Sequence, residues 1–300
     1  MGRGRLVGVA APGRGVMLTY YSASAREDFW TEHWGGHSVD ELLAVARVSP
    51  LTALITGALP AAGLVLEAGC GLGQYVILLR ERGWRAAGVD GSVEALITGR
   101  RAAAVPLAAA DLRALAIRTG TVAAYVSLGV VEHDPDGPDA ILAEARRVLA
   151  PGGTLVISVP YLNGLRRLGT PWIRRRQAAL AGRGGVFYQH AFSRGELLAA
   201  LGRHGFVKLA AHPYDPARVL RAAVRAVRGP RPAVSASAGG PRLATPGPGG
   251  ASAAGTPVGG PPVAGGPPRG GLRGLARRAL YSEPALRLLG HMLLVVARRA

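Results

Sequence analysis

Three glycines at alternating positions, Gly69-Cys70-Gly71-Leu72-Gly73, separate a run suited to a buried strand, Leu64–Ala68, from a run suited to a helix, Gln74–Gly83. No other feature constrains the fold so tightly. Glycine tolerates a positive φ and lets other groups approach the backbone, so the chain can turn there directly from strand to helix. The helix that follows points its first, unbonded amides at whatever lies over the turn. The neighbouring sequence keeps the same rhythm. Strands are predicted at Ala86–Asp90, Val105–Ala109, Val122–Gly129 and Gly153–Val159, and helices at Ser92–Ala103 and Pro138–Leu149. Several of these strands are nearly unbroken apolar runs, as strands covered on both faces must be. Strand–helix alternation of this kind argues an α/β fold with a doubly wound, mostly parallel sheet.

The flanks are less regular. Residues 1–17 read as a flexible extension, and Met17 offers an alternative start. An aromatic lead follows, with Tyr20, Tyr21, Trp30, His33 and Trp34, which either folds over a site as a lid or plugs a sheet edge. Ser38 and Glu41 form a capping box for a helix over Val39–Val48, and Ser49-Pro50 opens a second. Residues 160–190 interrupt the rhythm with a basic segment, LRRLGTPWIRRR. Ser193 and Glu196 then cap a helix running to Arg203, and a strand follows at Phe206–Tyr214. Pro230–Gly271 carries no aromatic and no acid, a composition that cannot offset its own ordering entropy and predicts disorder. Beyond it, Leu272–Leu289 is patchily amphipathic and His291–Arg299 reads as a last strand. The expected organisation is thus a domain over 18–229 with an N-terminal helical lid, a 230–271 insert, and a 272–300 segment that completes the same domain.

The net charge of +18 is unevenly placed. Residues 18–215 hold 20 basic and 17 acidic residues, while the remaining ends hold 16 arginines against the single acid Glu283. Such ends attract phosphates of nucleic acid or anionic lipid. Coding bias gives the same picture, because Lys208 is the only lysine among the 36 basic residues. Nucleic acid is not expected as a partner, and peripheral membrane contact stays open. Cys70 is the only cysteine, which rules out an internal disulfide or a cysteine metal cluster and fits a cytoplasmic location. The apolar run Leu286–Ala297 is too short to span a bilayer, which needs roughly 20 residues.

Acidic residues at strand ends suggest the ligand. Dinucleotide turns follow G-x-G-x-x-G/A, and counting from Gly69 the last small residue falls on Gln74. Glu67 just before the turn would also repel a pyrophosphate, but it suits a ligand with a cationic end. Asp90 ends the second strand, where a carboxylate can hold ribose hydroxyls. Asp111-Leu112 follows the third, placed to read a base edge. Three carboxylates at three successive strand ends lie where open α/β sheets bind ligands.

Five motifs then fall in order: VLEAGCGLG at 65–73, GVDGS at 88–92, AADLRAL at 109–115, SLGVVEH at 127–133 and RVLAPGGTLVISVP at 147–160. Together they resemble the class I methyltransferases, of the type 11 methyltransferase-domain group, over about residues 18–215. His291–Arg299 resembles that family's final strand. The resemblance implies a Rossmann-like sheet of seven strands with an antiparallel last strand, and S-adenosyl-L-methionine as cofactor. It assigns cofactor contacts to Glu67, Gly69, Gly71, Asp90, Asp111 and Leu128, and to Cys70, Gly73, Gly91 and Leu112 in the same motifs. Glu67 stands where aspartate is commoner, and the Pro230–Gly271 insert lies outside the common core.

Catalysis is harder to read. Displacement at an activated sulfonium draws mainly on positioning, and a base is needed only for a protonated acceptor. His133 is the candidate base or substrate ligand, with a packing role as the alternative. Tyr188 and His190 either line an acceptor pocket or belong to the core. The strand end SLGVV lacks the Asp/Asn-Pro-Pro-aromatic signature of base amino-group methylation, and no Cys/His spacing suggests a metal site. The expected reaction is methyl transfer to O, N or C of a small molecule. An RNA or lipid-linked acceptor recruited by the arginines around Arg166–Arg176, and a non-catalytic S-adenosylmethionine-binding protein, are the alternatives.

Overall fold

The computed structural model describes residues 17–23, 30, 34–218, 275 and 278–300. The predicted Pro230–Gly271 insert, most of residues 1–17, and His33 lie outside the described residues. In the described part a seven-stranded sheet runs in the order β4-β3-β2-β5-β6-β9-β8. Its strands are β2 (Leu64–Ala68), β3 (Arg85–Asp90), β4 (Leu107–Ala109), β5 (Val122–Leu128), β6 (Leu149–Pro160), β8 (Phe206–Tyr214) and β9 (Met292–Arg299). Strands β4, β3, β2, β5 and β6 are mutually parallel, and β9 runs antiparallel to both β6 and β8. β4 is shorter than predicted because Pro106 has no amide to donate to the ladder.

Helices cover both faces. On one side α1 (Val39–Val48), α2 (Pro50–Ala58), α3 (Gln74–Glu81) and α4 (Val93–Ala102) pack around Val65, Val76, Leu78 and Val126. On the other, α5 (Asp139–Val148) and α8 (Arg194–Arg203) enclose Leu66, Tyr125, Leu155 and Leu197. The apolar runs of β5, β6 and β9 follow from this, since each strand side has a helix layer to face. Of the two predicted capping boxes, Ser193 and Glu196 bond reciprocally, whereas at Ser38 only half forms, its hydroxyl accepting from the Glu41 amide.

Three expectations need correction. Leu18–Ser22 is a strand, β1, and not part of a helical lid. It pairs antiparallel with β7 (Val186–Ala191) in a separate two-stranded sheet. The basic segment over 160–190 is largely helical, forming α6 (Gly164–Leu168) and α7 (Thr170–Ala181). Neither helix buries a residue, so neither leaves an apolar periodicity in the sequence, and only the Asn163 cap and Pro171 mark their starts. Finally, Arg166 is not part of a surface basic patch but turns inward. Past β8, the next complete helix among the described residues is α9 (Glu283–Leu289), which leads into β9.

Candidate active site

The turn after β2 is built as its glycines require. Gly69, Gly71 and Gly73 all have positive φ. A Cβ on Gly69 would lie 2.3 Å from Val130, and one on Gly71 would lie 2.4 Å from the Trp34 indole. The Gly69 and Cys70 amides donate to the Val89 carbonyl (2.8 and 3.1 Å), which ties the turn to β3. Asp90 finishes that link. Its Oδ2 accepts from the Gly71 amide (2.7 Å) and its Oδ1 from the Ser92 amide (2.8 Å). One carboxylate thus fixes the turn and the entry to α4 together, while each oxygen keeps a second lone pair.

Glu67 is 3% exposed, and its Oε2 has no hydrogen-bond partner. Burial, then the nearby Asp90 charge, push its carboxyl well above the ordinary range, partly offset by a bond from the Val76 amide in the first turn of α3. A buried carboxylate in that position is stabilised by a cation placed against it. The residues therefore fit a ligand that brings an ammonium to Glu67 and hydroxyls to Asp90.

A cavity of about 1100 Å³ collects most of the predicted residues. Glu67, Gly69, Asp90, Gly91, Asp111, Leu112, Leu128 and His133 all line it. Cys70, Gly71 and Gly73 do not. The Cys70 side chain is buried in the core, where burial pushes its thiol upward, Gly71 lies under Trp34, and Gly73 packs against Leu107. These three shape the turn rather than the wall. Asp111 lines the cavity, but both its carboxylate oxygens are engaged by the Arg113 guanidinium (3.0–3.3 Å), which holds its carboxyl below the ordinary range and keeps it ionised. As at Asp90, an oxygen of that carboxylate can still accept a further bond, and the Ala110 and Leu112 segments line the cavity beside it.

The aromatic lead divides in two. Tyr20 and Tyr21 belong to β1. Trp34 lies over the glycine turn, and Trp30 sets its ring edge-on against His133 at 4.7 Å, so these two, with Leu42, Val45 and Ala46 of α1, roof the cavity. His133 ends a single 3-10 turn, Val131–His133, just past β5. Its Nδ1 lies 2.7 Å from the Tyr188 carbonyl. A carbonyl only accepts, so that nitrogen carries the proton and the neutral ring's lone pair sits on Nε2. His190 has a structural role: it is buried, bridges the Thr19 hydroxyl and the Pro135 carbonyl, and is pushed down by burial. Tyr188 lines the cavity.

One functional group escaped the sequence reading. Glu132, beside His133, is 2% exposed, lines the cavity, and leaves Oε2 without a hydrogen-bond partner. Burial raises its carboxyl from 4.5 to about 8. Its only sequence signal is an acid following two valines at the end of a buried strand. The cavity continues past Glu132 to Ser158, Tyr214, Arg218 and His291, so it extends from the turn after β2 to the β6–β9 side of the sheet.

Residues 66–157 match the methyltransferase domain family. Solved structures share the fold at low identity. One is a complex between the Haloferax volcanii Trm112 methyltransferase activator and a putative methyltransferase, at 17% identity and TM-score 0.54, covering 92% of this chain and 99% of that one. Another is a SAM-dependent methyltransferase from Archaeoglobus fulgidus, at 15% identity and TM-score 0.52, covering 91% and 100%. A third is a geranyl diphosphate methyltransferase in complex with SAM, at 15% identity and TM-score 0.51, covering 96% and 98%. No curated protein matches the sequence.

Proposed function

We propose that this chain is a class I S-adenosylmethionine-dependent methyltransferase and that it methylates a small molecule held in the cavity between Glu132 and the β6–β9 side of the sheet. The observation that carries the reading is one continuous, aromatic-roofed cavity with two chemically different ends. At the first end Glu67 meets the cofactor's ammonium, Asp90 its ribose hydroxyls, and the Ala110–Leu112 backbone its adenine. The cofactor supplies the methyl as an already activated sulfonium, so the protein's main contribution is alignment of the acceptor. Trp30 and Trp34 keep water out of the reaction zone. A volume of about 1100 Å³ lies just above the roughly 300–1,000 Å³ range of ligand pockets, which suits a cofactor and a modest acceptor together.

Glu132 takes up the acceptor's proton, with His133 beside it as the second acceptor. The carboxyl is poised near neutrality and has an unbonded oxygen on the cavity, as a general base requires. Incubating the protein and labelled S-adenosylmethionine with fractionated metabolites tests the reading. Release of S-adenosylhomocysteine matched to a small product gaining one methyl is the expected result. Transfer to RNA alone, or no transfer with any fraction, would overturn it.

A second reading concerns location. Leu168 and Trp172 are 80% and 65% exposed on α6 and α7, with Arg167, Arg174, Arg175 and Arg176 around them and no acid in the segment. Exposed Trp and Leu among arginines suit the interface of an anionic bilayer. An acceptor with a lipid chain would be reached there.

A further inference from the structure

Two side chains of the cavity wall are buried and polar, each with an oxygen that has no partner among the described residues. Ser158 is 1% exposed and Glu132 is 2% exposed, and both line the cavity. Neither Ser158 Oγ nor Glu132 Oε2 makes a hydrogen bond within the chain. Leaving a buried hydroxyl unpaired costs free energy that an apolar side chain of similar size would not. The surroundings of Ser158 call for such a side chain: Val156, two residues earlier on the same face of β6, and Leu294, opposite it on β9, are both core residues. The serine hydroxyl therefore serves something that enters the cavity.

The two groups stand at neighbouring strand ends. Ser158 lies opposite Leu128 of β5, and its carbonyl accepts from the Gly129 amide (2.9 Å). The Glu132 carboxyl folds back over that same glycine, since a Cβ on Gly129 would lie 3.5 Å from Glu132 Oε1. Adjacent strands run about 4.8 Å apart, so the hydroxyl and the carboxyl are separated by roughly one strand spacing. Hydrogen bonds of about 2.8 Å converging from groups that far apart meet ligand oxygens that are close neighbours. The Tyr214 hydroxyl borders the same spot. Burial pushes it upward, with Ser158 easing and Glu132 adding to the effect, although Ser158 and Tyr214 are not in hydrogen-bond geometry with one another. Leu128 and Met292 also line the cavity here, so the polar spot is small and set in an apolar wall.

We propose that the acceptor carries two oxygens on adjacent carbons, the one to be methylated set against Glu132 and its neighbour held by Ser158. The proposal rests on the small-molecule reading above and narrows its substrate class to vicinal diols, phenolic or aliphatic. The oxygen at Glu132 bonds to the methyl carbon as the sulfonium–methyl bond breaks. The electron pair of that bond stays on sulfur, giving neutral S-adenosylhomocysteine, and the hydroxyl proton passes to the Glu132 carboxylate. Ser158 touches the second oxygen and so determines specificity, by fixing which hydroxyl faces the methyl.

Calorimetry in saturating S-adenosylhomocysteine tests it, with catechol against hydroquinone and propylene glycol against trimethylene glycol. Each pair has the same atoms and differs in whether the two oxygens sit on adjacent carbons. In at least one pair the adjacent isomer should bind about tenfold or more tighter than the other, and the pair that shows it tells a planar acceptor from a saturated one. Ser158→Ala should erase that preference while S-adenosylhomocysteine affinity and Tm hold, because no hydrogen bond within the chain is lost. Wild-type protein that binds S-adenosylhomocysteine but prefers neither adjacent isomer would overturn the proposal. So would a preference that survives Ser158→Ala, or a fall in Tm in that variant, which would make the hydroxyl structural. Failure of S-adenosylhomocysteine to bind is a separate outcome, which overturns the functional reading whatever the diols do.

Discussion

At the scale of single residues, Glu132 and Asp90 carry the sharpest expectations. If Glu132 is the proton acceptor, kcat rises about tenfold per pH unit and levels off near 8, where the carboxyl ionises. Glu132→Gln should cost about 10²–10⁴-fold in kcat and remove that limb of the profile. A variant with an unchanged profile would show that His133 or water serves instead. The same group leaves a mark on stability. Below 4.5 the folded and unfolded chains both hold its proton; between 4.5 and about 8 only the folded chain does, so stability falls as pH rises through that window and then levels off. Urea titrations of wild type and Glu132→Gln across the window should differ in slope, the variant being flatter. Asp90→Ala removes the acceptor of two backbone amides as well as the proposed ribose contact, and should weaken S-adenosylhomocysteine binding by about tenfold or more in calorimetry. Gly69→Ala should destabilise the fold by at least about 1–2 kcal/mol in denaturant titration, because it combines a left-handed backbone with a side chain against Val130. The backbone of this site was legible in the sequence, since glycines and strand-end acids declare themselves through spacing. Glu132 was not, because its significance lies in burial, which depends on how a single 3-10 turn folds under the sheet.

At the scale of elements, the sheet followed from the sequence wherever a strand is apolar throughout and covered on both faces. β9 is the clearest case. Met292–Ala297 is buried along its whole length, and the run is flanked by β6 and β8 as its composition implied. Truncation after Leu289 should leave an insoluble or molten chain, since six buried side chains and two strand interfaces disappear together. Full burial of a large apolar side chain is worth roughly 1.5–3 kcal/mol, against a typical total stability of about 5–15 kcal/mol. A soluble truncation that binds S-adenosylhomocysteine would refute this. The small β1–β7 sheet was not legible because its strands lie far apart in sequence and alternate only weakly. α6 and α7 were hidden for the opposite reason: they are helices with no buried stripe, and the periodicity by which helices are recognised was never written into them.

At the scale of the whole molecule, the near-neutral domain and its basic flanks separate two roles for charge. If the Leu168–Trp172 face meets lipid, the protein should sediment with vesicles containing anionic lipid, dissociate as salt rises, and ignore neutral vesicles. Trp172→Ser should weaken the association without affecting S-adenosylhomocysteine binding. Equal sedimentation with neutral vesicles would show that charge has no part in it. The position of β9 has a consequence of a different kind. It is synthesised after every other strand of its sheet, yet it fills the slot between two that are made well before it, so until it arrives β6 and β8 have no partner at their shared gap. The cofactor end, on β2, β3, β4 and β5, is complete in sequence long before that. The acceptor end, which needs His291 and Met292, is not. A nascent chain thus passes through a stage with two open strand edges, the kind of surface that recruits other strands. At that stage every cofactor-facing segment has been made, but the sheet that holds them is not closed and there is nowhere to place a substrate. Ligand present during refolding should therefore shorten the exposed interval only if it bridges the late strand; cofactor alone touches only strands made earlier.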